Sequence, residues 1–239
     1  DYYASRGLGD VYKRQNQYIL EKLIGKALLD AAMWTNKKCT PRKPQEPDYV
    51  AMLSTKFVKD FFNVLVAVFP HYDFSIVGVY CHQKPIVDIK EAKKPELGDI
   101  LFVYADRKRK GEMVLNSLLL QAKISKNPWL HVHQSERHQL KLYKNWPQFT
   151  YCRAGNLNGK MRNIFPKTIN DGAQYLLIAD NLLANGFFAG NRMFPMGCAI
   201  PDDILYINDS LSSELINLLK FKSGRTFDSD LYSTCLLYT

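Results

Sequence analysis

The chain has 239 residues, 46% hydrophobic and 23% charged, a balance that excludes wholesale disorder. No apolar run approaches the roughly 18 residues of a membrane span, and five scattered cysteines without a CxxC pair argue against a disulfide scaffold and a zinc ribbon and fit a reduced, cytoplasmic protein. A net charge of +9 favours a polyanionic partner.

The two ends, residues 1–15 (DYYASRGLGDVYKRQ) and 235–239 (CLLYT), resemble translated sequencing-adapter sequence and are expected to be foreign to the fold. Residues 16–34 have apolar positions at three- and four-residue spacing, which predicts an amphipathic helix. Residues 35–47 (TNKKCTPRKPQEP) break it, and Asp48 offers an N-cap for a second helix over 49–68, stopped by Pro70. An N-terminal helical hairpin or layer over 16–70 and an α/β core over 71–234 follow from this texture.

After Pro70 the pattern shifts to short β-branched runs. Strands are expected over 73–80, 86–89, 98–104, 114–124, 149–153 and 175–179. The run VLNSLLLQAKI at 114–124 is nearly continuous and predicts burial on both faces. A basic turn, DRKRKGE, joins it to the preceding strand and makes the two antiparallel neighbours. Residues 134–144 read as a short polar helix and 210–220 as a terminal helix capped by Ser210. Residues 186–201, rich in Gly and Pro, are expected to be irregular.

One segment carries chemistry. Pro95-Glu96-Leu97-Gly98-Asp99 is followed, after twenty-one residues, by Gln121-Ala122-Lys123. Gln121 and Lys123 share parity on one strand and so one face. Asp99 opens the first strand where its antiparallel partner ends, so a carboxylate, an amide and an ammonium are expected to meet. That set suits metal-assisted phosphodiester hydrolysis, because Mg²⁺ takes hard oxygen ligands and one or two carboxylates while keeping waters. Burying Gln121 and Lys123 after Leu118-Leu119-Leu120 is costly unless they are paired, and a carboxylate cluster would meet that cost.

These residues resemble the PD-(D/E)xK, or restriction-endonuclease-like, nuclease superfamily, with Gln121 where an acid is usual. The stretches GVYCHQKPIV, PELGD, LLLQAK and QLKLYKNWPQF are similar to uncharacterised bacterial proteins of a nuclease-like, defence-associated kind. The resemblance implies an α/β fold with a restriction-endonuclease-like mixed sheet flanked by helices. It implies a Mg²⁺- or Mn²⁺-dependent endonuclease acting on DNA, with RNA an alternative, and defence-system proteins as further partners. Asp99 would bind the metal, Glu96 would supply the missing carboxylate with Asp88 and Glu91 behind it, and Gln121 would give a weaker oxygen ligand. Lys123 would orient the attacking water. The competing reading is a non-catalytic nucleic-acid-binding or protein-interaction module on the same scaffold.

Other groups rank lower. His82 and Lys84 could contact phosphate at a strand exit, and Arg107, Lys108, Arg109 and Lys110 could track a nucleic-acid backbone. Lys38, Arg42, Lys43, Lys141 and Lys144 are read first as solvated charges. Tyr143, Trp146 and Phe149 suit core packing better than base stacking. His131, His133 and His138 lack a fourth metal ligand at useful spacing and are expected in a solvated loop. GNLNG at 155–159 has no strand–loop–helix context and no GK[ST], which excludes a nucleotide P-loop.

Overall fold

The computed structural model describes residues 14–78, 80, 83–107, 113–165, 167, 172–180, 186–189 and 192–228. His82, Lys108, Arg109, Lys110, residues 1–13 and the tail 235–239 lie outside them.

Three helices come first: α1 (Arg14–Cys39), α2 (Glu46–Met52) and α3 (Val58–Val68), the last two joined by a π-helical turn over Leu53–Phe57. Among the described residues twelve strands and two further helices follow. They are β1 (Ile86–Asp88), β2 (Ile100–Arg107), β3 (Met113–Ser125), β4 (Trp129–His131), α4 (Arg137–Asn145), β5 (Phe149–Arg153), β6 (Met161–Arg162), β7 (Ala173–Ala179), β8 (Phe187–Ala189), β9 (Arg192–Phe194), β10 (Met196–Ala199), β11 (Ile204–Ser210), α5 (Leu211–Leu219) and β12 (Arg225–Asp228). A 3-10 turn over Gln134–Glu136 leads into α4.

The main sheet is mixed, in the order β12-β3-β7-β10-β11-β4, with β2 paired to the other side of β3. β2 and β3 are antiparallel from Ile100 opposite Leu120 to Arg107 opposite Met113. β3 and β7 run parallel, Gln121 opposite Tyr175 and Lys123 opposite Leu177. The expected hairpin is therefore present, and Leu118, Leu119, Leu120 and Ala122 are buried as the unbroken apolar run required. A smaller sheet, β1-β5-β6, stands apart.

Helices cover both sheet faces. Gln174 on β7 donates to Glu214 of α5 at 2.7 Å, which marks one face. Tyr175, its neighbour, turns to the other, where its ring lies 5.6 Å from that of Tyr143 on α4. Gln121 and Lys123 share that second face. One continuous apolar core joins Leu20, Ile24 and Phe57 of the helical layer to the sheet.

Three local expectations need correction. Residues 73–78 form no strand: Phe74 and Ile76 pack against the core from an irregular segment that, among the described residues, is paired with no strand. Residues 186–201 hold β8, β9 and β10. Gly197 there marks close packing, not a break, because a Cβ would stand 2.6 Å from the Ile207 side chain. The histidines at 131 and 133 are not one loop: His131 closes β4, and the His133 ring accepts from the Ser135 N–H.

Candidate active site

β2 begins at Ile100, but β3 runs five residues past the partner of Ile100, to Ser125. Backbone N–H groups on that overhanging edge have lost their strand partner. Two carboxylates replace it. Asp99 Oδ2 accepts from Ala122 N at 2.7 Å, and Glu46 Oε1 accepts from Ile124 N at 3.2 Å. The two acids thus line one edge, two β3 residues or about 7 Å apart.

Asp99 Oδ2 also accepts from Gln121 Nε2. Among the described residues no hydrogen bond falls on Asp99 Oδ1, and Gln121 Oε1 is buried without a donor. Burial pushes the Asp99 carboxyl up to about 7, against the Ala122 N–H and Lys123, which favour the charged form; Glu96 and Glu46 push the same way as burial. The strand entry is held by Asp99 N donating to Leu120 O at 2.9 Å and by Tyr143 Oη donating to Leu97 O at 2.9 Å.

Lys123 sits between two acids. Its Nζ is 2.6 Å from Glu136 Oε1 and 3.8 Å from Glu46 Oε2. Burial works to lower its pKa, but Glu46, Glu136 and Asp99 outweigh it and hold the ammonium above the usual lysine range. The cost of burying Lys123 is met by a carboxylate pair, as the sequence required, but that pair comes from α2 and the 3-10 turn.

Glu46 and Glu136 were not legible as site residues. Glu46 falls in the breaker stretch, and the α2 cap is Gln45, not Asp48. Asp48 occupies the third helical position, where its Oδ2 accepts from Gln45 N at 2.8 Å. The Arg42 guanidinium holds Asp48 from the other side and drives its carboxyl down to about 2. A Gln-x-x-Asp pattern with Pro47 inside it was the available signal for a helix starting at Glu46.

The structure separates other candidates. Glu96 is half-buried, bridges opposite Ile86, and acts on Asp99 through space alone. Asp88 is taken by Lys94 at 2.9 Å and by the Lys90 N–H, and Glu91 by Lys141, so neither stands behind Glu96. Lys84 is exposed before β1, and Arg107 is exposed at the far end of β2, about 26 Å along the strand from Asp99. Tyr143, Trp146 and Phe149 are core residues. One further buried polar atom joins the site face without a hydrogen-bond partner among the described residues, Tyr175 Oη, beside Gln121 on the next strand.

Among the described residues no group of three or more His, Cys, Asp and Glu could hold a metal ion. Hard oxygens are nonetheless present at one edge, and the orphaned Gln121 Oε1 is a buried acceptor that a cation or a bound water would satisfy. Mg²⁺ keeps several waters and needs only one or two carboxylates, so the donor set fits that ion. Comparison of the chain with protein-family models, curated proteins and solved structures found no match.

Proposed function

We propose that the chain is a divalent-metal-dependent nuclease of the PD-(D/E)xK type that hydrolyses phosphodiester bonds of DNA, on a restriction-endonuclease-like core. The observation that carries this reading is the shared β3 edge. Asp99 and Glu46 both cap it, Gln121 offers a buried oxygen without a donor, and Lys123 projects from the same face. Asp99 and Gln121 would hold Mg²⁺ or Mn²⁺ directly, and Glu46, about 7 Å along the edge, would reach the ion through a retained water. Glu46 supplies the charge that Gln121 lacks, a part first expected of Glu96. The bound ion would polarise a phosphoryl oxygen and acidify a bound water.

The chain's own residues do the rest. Glu136 and Glu46 keep Lys123 protonated and aimed, so its ammonium can orient the attacking water and offset charge growing on the phosphate. Asp99 must be a carboxylate to work, and its pKa near 7 makes that state dependent on pH. The bacterial defence role implied by the resemblance, and the cytoplasmic setting read from the scattered cysteines, belong to the same proposal.

The module reading has one specific support: both carboxylates already serve as backbone acceptors on an overhanging strand. A plasmid-nicking assay separates the two. The nuclease reading expects relaxed circles in Mg²⁺, none in EDTA, and none from Asp99→Ala or Lys123→Ala. DNA binding by a wild type that never nicks favours the module.

A further inference from the structure

Tyr175 carries a buried hydroxyl that the chemistry above does not use. The residue is 1% exposed, and its Oη has no hydrogen-bond partner among the described residues. Burial, helped by the negative charge of Glu136, holds the phenol above the usual tyrosine range. The group is therefore a neutral O–H, with one proton to donate and lone pairs to accept with.

Its neighbour in the sheet lacks what it offers. Gln121 on β3 lies directly opposite Tyr175 on the parallel strand β7, so both side chains leave the sheet on one face, from strands about 4.8 Å apart. Gln121 is 7% exposed, and its Oε1 is buried without a donor. The direction of the amide follows from what holds its other end. β2 and β7 flank β3 on opposite edges. Gln121 Nε2 donates to Asp99, at the entry to β2. Oε1, across the same amide, is thereby turned toward β7. Other donors on this face are engaged: Lys123 Nζ by Glu136 Oε1 at 2.6 Å, and Tyr143 Oη by Leu97 O at 2.9 Å.

A buried donor and a buried acceptor, side by side and both unmet, are costly, and interiors answer such pairs with protein groups or ordered water. No direct hydrogen bond joins these two. A single water suits both, because it can accept from the hydroxyl and donate to the amide oxygen, and internal spaces that stay dry are apolar. The link has a chemical use. A glutamine amide can turn over, exchanging O and N with almost no change of shape. Turned over, Gln121 would set its oxygen against the Asp99 carboxylate and its NH₂ where a cation needs an oxygen. A donor on the β7 side opposes that. The second lone pair of Oε1 stays open to an ion.

We propose that Tyr175 is a positioning residue for Gln121, its hydroxyl donating to one internal water that donates in turn to Gln121 Oε1. Its bearing on a metal rests on the nuclease reading, and the link itself does not. The test is Tyr175→Phe in the full chain at pH 8, above the Asp99 value of about 7. In EDTA, the Gln121 side-chain NH₂ is followed by NMR and assigned by its disappearance in Gln121→Glu. Loss of the hydroxyl shifts this pair and speeds its exchange with solvent on the order of tenfold, while backbone signals of β4 and β11 stay in place. Mn²⁺ binding, read by calorimetry, weakens by about tenfold or more. With Glu at 121 the two oxygens are equivalent and need no orienting, so there Tyr175→Phe changes Mn²⁺ affinity by no more than about twofold. A packing role would lower it equally in both backgrounds. Gln121 signals that Tyr175→Phe leaves unmoved overturn the proposal, as does a Mn²⁺ affinity that it leaves unchanged or lowers equally in both. Moved signals with no Mn²⁺ binding by wild type keep the link and remove the metal reading. Mn²⁺ binding by wild type with unmoved signals does the reverse.

Discussion

Replacing Asp99 by Asn keeps the shape of the side chain and removes its titration. The carboxyl titrates near 7 in the folded chain, against an ordinary value of 3.8. A folded-state pKa above the unfolded value means the native protein binds a proton that the unfolded chain has released. The stabilisation this gives is complete below about pH 4 and is lost as pH rises through 7. At 1.36 kcal/mol per pKa unit, the wild-type advantage over Asp99→Asn shrinks by about 2–3 kcal/mol between pH 5 and pH 8. Urea unfolding of both proteins at the two pH values reads this directly, since titrations elsewhere cancel in the difference. Adding Mg²⁺ at ten times its Kd at pH 8 returns about 1.4 kcal/mol to wild type and nothing to Asp99→Asn. A gap that stays constant with pH refutes the account of Asp99 as a desolvated carboxyl closed in by Gln121 and Ala122.

Two further substitutions test the scaffold that presents Asp99. Gly98→Ala places a Cβ 2.7 Å from Leu119 Cδ1 and 2.8 Å from Tyr143 Oη, and is expected to cost about 1–3 kcal/mol in urea unfolding. Tyr143→Phe leaves the Leu97 carbonyl without its donor. It is expected to cost about 1–2 kcal/mol by the same measurement, with cleavage reduced because the entry to Asp99 loosens.

The hairpin was readable because its pattern is local. A long apolar run in β3 can be satisfied only by burial on both faces, and a short basic turn before it forces an antiparallel partner, so Asp99 had to arrive near Gln121. Lys123 announced that it needed acids without naming them. Glu46 lies more than seventy residues earlier in sequence, and only the packing of α2 against the end of β3 brings it to Ile124 N. Glu136 reaches Lys123 by a turn whose cap is a histidine ring. Both contacts are tertiary and leave no periodic trace. The segment at 73–78 failed for the opposite reason. It has strand-like residues but, among the described residues, no strand paired with it, so β propensity had nothing to pair with. The irregular reading of residues 186–201 failed because glycine there has a packing use: the missing side chain of Gly197 makes room for Ile207 and no turn is involved.

The most direct measurement of the central claim is single-turnover cleavage of a labelled DNA duplex as Mg²⁺ is titrated, with wild type, Glu46→Gln and Lys123→Met side by side. Glu46→Gln is expected to raise the Mg²⁺ concentration needed for half-maximal rate by tenfold or more. Lys123→Met is expected to leave that concentration nearly unchanged and cut the saturated rate about 100-fold or more. No cleavage by wild type at any Mg²⁺ concentration, or equal rates in all three proteins, contradicts a metal-dependent site at the β3 edge.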